Sequence, residues 1–397
     1  MQLNKKTILL AWEWGEGLGH LSNLLFFAES LQESGYEVVV AVRDKVAASK
    51  LIREPNIKLI QAPAWRRRAR SIVHDVSSFS TVLYNFGFTD LACLYDCVSG
   101  WKRVLQNYQP QVVVCEFAPG LQVAAYGLGI DTVAVGSSFA EPDPNRYGLK
   151  ITGEAEKPED IDLHMAVQDN INRVLSRLKM ATLESLDELF RVKGTLLTTL
   201  PELDVYQRRV DGDYLGPLSM TLGESEICWT EHDKPKVLAY VKPDSMFFEA
   251  LMLMLSRSGC NVIAYVPKSD KRVAASEYVS DTMKVFSSPV DVVSLIEGAD
   301  IVVHHGGNGL LCQTLLKGKP QLLAPNHQEQ HLNASKLQDL GAGLVVENAD
   351  LEECEESFKR LLDEVSYSEC AQGIASRYSF ITQDWQREKV RSVFFQN

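Results

Sequence analysis

Short apolar runs punctuate the chain. They cover Thr7–Trp12, Glu37–Val42, Gln111–Cys115, Thr132–Val135, Thr195–Thr199, Val237–Val241, Asn261–Val266, Ile301–Val303 and Gln321–Ala324. Most are apolar on successive positions, which predicts parallel strands buried on both faces. Helical segments lie between them. Leu21 to Ser34 reads as a helix closed by Gly35 at the C′ position, and Leu310–Leu316 as another. After Pro158, a stripe of Leu163, Val167, Ile171, Leu175 and Leu178 keeps helical spacing and is assigned to core packing. Asp350 to the C-terminus also reads as helices. Strands alternating with helices predict an α/β protein with parallel sheets. Two segments break that rhythm: Ala64–Asp90, which starts with Trp65 and an arginine run, and the Pro-, Asp- and Gly-rich stretch Glu141–Pro158.

Two glycine turns carry the candidate chemistry. The first, Gly15 to His20, follows the first strand. It echoes a dinucleotide fingerprint through Gly17 and Gly19 but fails at Ser22, so a close backbone turn is expected here rather than a nicotinamide site. The second, His304-His305-Gly306-Gly307-Asn308-Gly309, lies between a strand and a helix. Backbone N–H groups at a helix N-terminus suit a phosphate or diphosphate, because both the orphan donors and the helix dipole favour negative charge. The strand Gln321–Ala324 ends at Pro325 and gives way to a polar loop, Asn326–His331. Loops at the carboxyl ends of strands are where open α/β sheets bind ligands. An anion site beside a polar loop predicts a phosphorylated ligand with a hydroxyl-rich end.

Composition narrows the class. A chain of 397 residues is long enough for two domains, each with its own core. Forty basic and fifty-two acidic side chains give a net charge of −12, which argues against a general nucleic-acid or anionic-membrane binder. No apolar run reaches the roughly 18 residues of a spanning helix. The N-terminus, with Glu13 interrupting its apolar run, reads as a first strand rather than a signal peptide. Eight scattered cysteines form no Cys-x-x-Cys pair, which fits reduced thiols in a cytoplasmic protein and no metal site.

His305, Gly306, Gly307, Gly309, Leu315, Gly318, Pro320, Pro325, Gln330, Asn333, Ala334, Gly341 and Gly343 fall in order. Together they resemble the donor-binding signature of GT-B glycosyltransferases of the family 1 type. The resemblance implies two Rossmann-like domains facing each other across a cleft. It implies an acceptor-binding domain at residues 1–213, a donor-binding domain at 214–375 and a C-terminal helix within 376–397 that returns to the first domain. Tyr214-Leu215-Gly216-Pro217-Leu218 resembles the family's linker.

The same resemblance assigns roles. His305, Gly306, Gly307, Asn308, Gly309 and Leu310 would hold the donor diphosphate. Gln313 would meet the ribose, Glu329 and Gln330 the sugar hydroxyls, and the backbone around Val290 the base edge. Lys242 lies where relatives have a Gly-Ser turn and would add charge at the phosphates. Three positions depart from the family: Leu310 replaces a hydroxyl residue, Gln313 a glutamate and Glu329 an aspartate. By the Gly19-His20 match, His20 is the candidate base, against a plain helix-capping role. Glu116 is its candidate carboxylate partner, against a solvated strand-end residue. Trp65, Arg66, His74 and Phe88 fall in the variable acceptor region. There the arginines and aromatics either meet the acceptor or form a solvated face over core rings. The expectation is an inverting, metal-independent transferase with a UDP- or dTDP-sugar as co-substrate, no cofactor, an unspecified acceptor and no nucleic-acid partner. The alternatives are a nucleotide-sugar epimerase or hydrolase, and a catalytically silent sugar-nucleotide module.

Overall fold

The computed structural model describes residues 6–14, 18–51, 57–65, 72–151, 158–207, 209, 212–218, 227–229, 233–267, 278–288 and 290–395. The chain separates into two compact units, Met1–Met220 with Gln383–Asn397, and Thr221–Thr382.

In the first unit the order is β1 (Thr7–Trp12), α1 (Leu18–Glu33), β2 (Glu37–Val42), α2 (Lys45–Leu51), β3 (Lys58–Gln61), α3 (Phe79–Asn85) and α4 (Leu91–Tyr108). Then follow β4 (Val112–Glu116), α5 (Pro119–Leu128), β5 (Asp131–Gly136), α6 (Pro158–Arg177), β6 (Gly194–Leu197) and β7 (Asp213–Tyr214). The described strands form one parallel sheet in the order β3-β2-β1-β4-β5-β6-β7. The valine-rich runs β2 and β4 lie inside it with nearly every residue buried, as doubly covered strands require. Gly35, at φ +89, ends α1 in the left-handed conformation that glycine adopts without a Cβ penalty. The stripe on α6 is core at Val167, Ile171 and Leu175, while Leu163 and Leu178 are half-buried at its edges.

Several elements of this unit have no counterpart among the runs read from the sequence, the two-residue β7 included. Helices α2 and α3 and strand β3 are too short for periodicity to register. Helix α3 depends on Ser78, whose hydroxyl accepts the Thr81 N–H.

The second unit runs β8 (Lys236–Tyr240), α7 (Phe248–Arg257), β9 (Asn261–Tyr265), β10 (Met283–Phe286), α8 (Val292–Gly298), β11 (Ile301–His304) and α9 (Asn308–Leu316). It continues with β12 (Gln321–Leu323), α10 (Gln328–Asp339), β13 (Gly343–Val345), α11 (Leu351–Asp363) and α12 (Val365–Arg377). Its described strands form a parallel sheet in the order β10-β9-β8-β11-β12-β13. Alternate residues feed two cores. Val237, Val262 and Val303 pack on one face, and Leu238, Ile263 and Val302 on the other.

The last helix, α13 (Gln383–Phe395), belongs to the first unit. The Gln386 amide donates to the carbonyls of Leu215 and Pro217 at 2.8 and 3.1 Å, fastening the helix to the segment after β7. Arg387 pairs with Glu29 and Glu33, and Arg391 with Glu33, along α1.

Candidate active site

Each sheet has one topological switch point, where strand order reverses. In the first unit it lies between β1 and β4, and in the second between β8 and β11. Crevices beyond the carboxyl ends of such strands are the expected ligand sites of open α/β sheets.

At the first switch point His20 sits in the opening turn of α1, just past β1, and Glu116 ends β4. The imidazole Nδ1 lies 2.7 Å from Glu116 Oε2 and 2.9 Å from Oε1. Asn23, one turn further along α1, donates to Glu116 Oε1 at 3.1 Å. Glu116 is 2% exposed and His20 24%, so the carboxylate is an interior group rather than a solvated strand end. A carboxylate at Nδ1 makes that nitrogen the protonated one and leaves the lone pair on Nε2.

The turn that carries Glu116 is itself held by two buried carboxyl groups. Glu13, at the end of β1, accepts from the Gly120 N–H at 2.7 Å and from the Trp101 indole. It thereby caps α5, whose own N-cap residue, Ala118, has no side-chain acceptor. Gly120 is required there, since a Cβ would stand 2.6 Å from Glu13 Oε1. Burial pushes the Glu13 carboxyl up to about 7. Glu141, in the segment after β5, accepts from the Phe117 N–H; burial, then the neighbouring Glu116, push its carboxyl well above the usual range. The Phe117 carbonyl accepts from the Trp14 N–H at 3.1 Å. Phe117 is thus tied on both sides, which sustains its left-handed φ of +46 directly after Glu116.

A ring cluster continues from this point. Trp14 stacks on Phe86 at 3.9 Å, and Trp65 stacks on Phe88 at 5.2 Å. Phe88, expected at the acceptor, is fully buried between Trp14 and Trp65 and is core: it has no surface left for a ligand. Trp65 is half-buried and His74 exposed, on a segment clipped to Asn85 through the Val73 backbone. Arg66 lies outside the described residues.

At the second switch point Tyr240 ends β8, and its ring meets that of His305 edge-on at 5.0 Å. Two adjacent histidines have different roles. His304 is fully buried: its Nδ1 accepts from the Gly306 N–H at 3.1 Å, and its Nε2 lies 2.7 Å from Gln321 Oε1. Burial lowers it to about 4, so it is a neutral strut that shapes the glycine turn. His305 is lowered to about 2, first by burial, then by His304, Lys242 and His327. Its Nδ1 is buried without a hydrogen-bond partner among the described residues. Gly306 has φ +82, and a Cβ there would stand 3.2 Å from the Gln330 carbonyl. Asn333 donates to the Gly306 carbonyl at 3.0 Å and holds the turn from behind.

Helix α9 then starts with Gly307 as N-cap, which offers no side-chain acceptor to the first-turn N–H groups. The half-buried Leu310 packs against the apolar cluster that includes Val290, so the position that lost a hydroxyl gains a core contact. Asn308 Oδ1 lies 3.6 Å from Cys312 Sγ. Gly309 is exposed, and Gln313 and Glu329 are half-buried on the first turns of α9 and α10. Gln330 is 3% exposed, and its Oε1 accepts from the Asn326 N–H at 2.9 Å, so this side chain shapes the loop. Ser245, after Lys242 in the β8–α7 turn, donates to Asn326 Oδ1 at 2.7 Å and ties that turn to the same loop. Among the described residues no group of three or more His, Cys, Asp or Glu side chains has a metal-binding arrangement, and no helix is long and apolar enough to cross a membrane.

Sequence reading passed over Trp12, Glu13, Glu141 and His304. A glutamate between two tryptophans at the end of an apolar strand was the available signal, since buried carboxyl groups are rare without partners.

Comparison with known proteins agrees with this architecture. Residues 251–379 match the family described as erythromycin biosynthesis protein CIII-like, C-terminal domain. A rhamnosyltransferase of PGL/p-HBAD biosynthesis from Mycobacterium bovis is 24% identical over 354 residues, which cover 83% of this chain and 74% of that protein. Elloramycin glycosyltransferase ElmGT from Streptomyces olivaceus is 32% identical over 84 residues, 21% of each chain. Among solved structures, glycosyltransferase VinC in complex with dTDP superimposes with a TM-score of 0.71 at 16% identity, covering 98% of this chain and 99% of its own. The likeness shows the GT-B fold, and the match at residues 251–379 falls within the second unit.

Proposed function

We propose that this chain transfers a sugar from a dTDP- or UDP-linked donor to an acceptor hydroxyl, with inversion at the anomeric carbon and without a metal ion. The observation that carries the reading is the 2.7 Å contact between His20 Nδ1 and a buried Glu116. With Nδ1–H held there, Nε2 is the nitrogen that takes the acceptor proton, and Glu116 supports the imidazolium that results. The acceptor oxygen forms its bond to the anomeric carbon as the bond from that carbon to the diphosphate breaks. The electron pair leaves with the diphosphate, and the proton ends on His20.

The second unit supplies the donor site in this reading. First-turn N–H groups of α9 and the Lys242 ammonium provide positive potential for the leaving diphosphate, and the neutral His305 imidazole offers a hydrogen bond, which is electrostatic stabilisation by preorganised groups. The unpartnered, buried Nδ1 of His305 is a polar atom that a phosphate oxygen would satisfy. The dTDP bound to VinC and the rhamnosyltransferase activity named for the mycobacterial relative make dTDP and rhamnose the first donor pair to test. The ribose contact of Gln313, the sugar contact of Glu329 and backbone recognition of the base near Val290 belong to the same proposal. No observation favours the epimerase, hydrolase or silent-module alternatives.

The test is His20→Ala. Sugar transfer, followed by release of dTDP or UDP over an acceptor panel, should fall by about 10²–10⁴-fold. Calorimetric affinity for dTDP should stay within about threefold. Near-native turnover in the variant removes His20 from the role of base.

A further inference from the structure

Trp12 and Glu116 are register partners on the adjacent strands β1 and β4, so their side chains rise from the same face of the sheet. Both reach His20. Glu116 takes the Nδ1 edge, while the Trp12 indole lies against a face of the imidazole, with ring centroids 5.3 Å apart and planes 17° from parallel. The indole is 8% exposed, and its N–H donates to the Trp14 carbonyl two residues on. Its rotamer is therefore fixed by its own strand end. Phe117, the residue after Glu116, places a second ring 6.3 Å from His20 at 25°. A histidine that only capped a helix would need neither ring.

We propose that Trp12 is a positioning residue for the base: its indole face fixes the His20 ring plane and stabilises the imidazolium form. The inference rests on the reading of His20 as base. An indole face is the strongest aromatic partner for a cation, so it favours the charged form of a stacked imidazole. Among the described residues the carboxyl group in contact with His20 is Glu116 from β4, and Glu141, from the segment after β5, neighbours Glu116. Trp12 from β1 and Asn23 from α1 are neutral. Removing the indole face takes support from the imidazolium alone and lowers the pH at which His20 titrates.

The experiment uses the full chain with ring-labelled histidine, and NMR titration of the ligand-free protein. The His20 resonance is assigned by its loss in His20→Gln. In Trp12→Leu the His20 ring protons should move downfield as the shielding of the stacked indole disappears. The titration midpoint should fall by about half a pH unit or more. Trp12→Phe keeps an aromatic face and should recover part of both shifts. The resonances of the other histidines report on an intact fold. If Trp12→Leu does not fold, the smaller step from Trp12 to Phe decides by the same two readouts. A His20 midpoint and ring-proton shifts unchanged by loss of the indole overturn the proposal. The two readings fail separately. Turnover surviving in His20→Ala removes the base assignment, whereas an inactive His20→Ala with an unmoved midpoint in Trp12→Leu removes only the role of Trp12.

Discussion

The two switch points share a topology and differ in how they handle charge. In the first unit the site is made of ionisable side chains. A buried carboxylate holds His20, and two further buried carboxyl groups, Glu13 and Glu141, hold the turn that carries it. In the second unit the site is made of backbone. A left-handed glycine, a helix N-terminus without a side-chain cap and two neutral histidines, one with an unpartnered Nδ1, make up the turn. The difference suits two tasks. Moving a proton needs a group whose charge can change, whereas holding a diphosphate needs dipoles that are already oriented. In the proposed function the same parallel scaffold supplies both, because strand ends can be furnished independently of the sheet.

Four changes would break or sharpen this contrast. The largest effect is expected from Glu116→Gln, which keeps a hydrogen-bonding group but removes the charge that fixes the tautomer. The transfer rate should drop by about 10²–10³-fold with dTDP affinity retained; a loss of affinity instead would mean that the side-chain site also serves the donor. The next concerns pH. Because Glu13 is raised from 4.5 to about 7 in the folded chain, the folded state binds the proton more tightly than the unfolded state. Its contribution is present below pH 4.5 and is lost as pH rises to about 7, up to about 3 kcal/mol. Glu13→Gln should therefore lose less stability than the native chain between pH 5 and pH 8, measured by urea unfolding. An identical pH dependence in both would show that Glu13 is ionised in the folded state.

Gly306→Ala attacks the backbone site. The left-handed φ costs about 1–2 kcal/mol for alanine, and the Cβ meets the Gln330 carbonyl at 3.2 Å. Melting should fall by a few degrees and dTDP affinity by about tenfold. Unchanged affinity would separate the glycine turn from the donor. The smallest effect belongs to Lys242→Met, with a three- to tenfold loss of dTDP affinity expected from losing one charge-assisted contact, about 1 kcal/mol. The loss should shrink as salt rises, and affinity for thymidine alone should not change. Equal losses for dTDP and thymidine would place Lys242 away from the phosphates.

Much of the architecture was legible because it is written locally. Valine-rich strands, the Gly35 stop and the strand–glycine–helix signal at His304 each depend on neighbours in sequence. The glycine turn from His305 to Gly309 was marked in this way as an anion site, whereas the roles of its residues and of Gly19-His20 came from the family resemblance. Gln330 and Asn333 were legible as positions, but their structural contacts with the turn at Gly306 and the Asn326 backbone were not. Phe88 was left between acceptor contact and core, because an aromatic beside polar residues suits either until its neighbours are known, and its burial makes it core. The short elements α2, α3 and β3 gave too few residues for a period to emerge.

The sequence by itself determined the α/β class, the strand runs and the two glycine turns, since periodicity and backbone stereochemistry act within a few residues. Only the tertiary structure decided the pairing of His20 with Glu116, which joins positions 96 residues apart. It alone set Glu13 as a cap for α5, 107 residues from Gly120. It also gave His304 and His305 different surroundings although they are adjacent. Parallel strands bring distant carboxyl ends together at a switch point. Burial there, which no local pattern encodes, sets what each side chain can do.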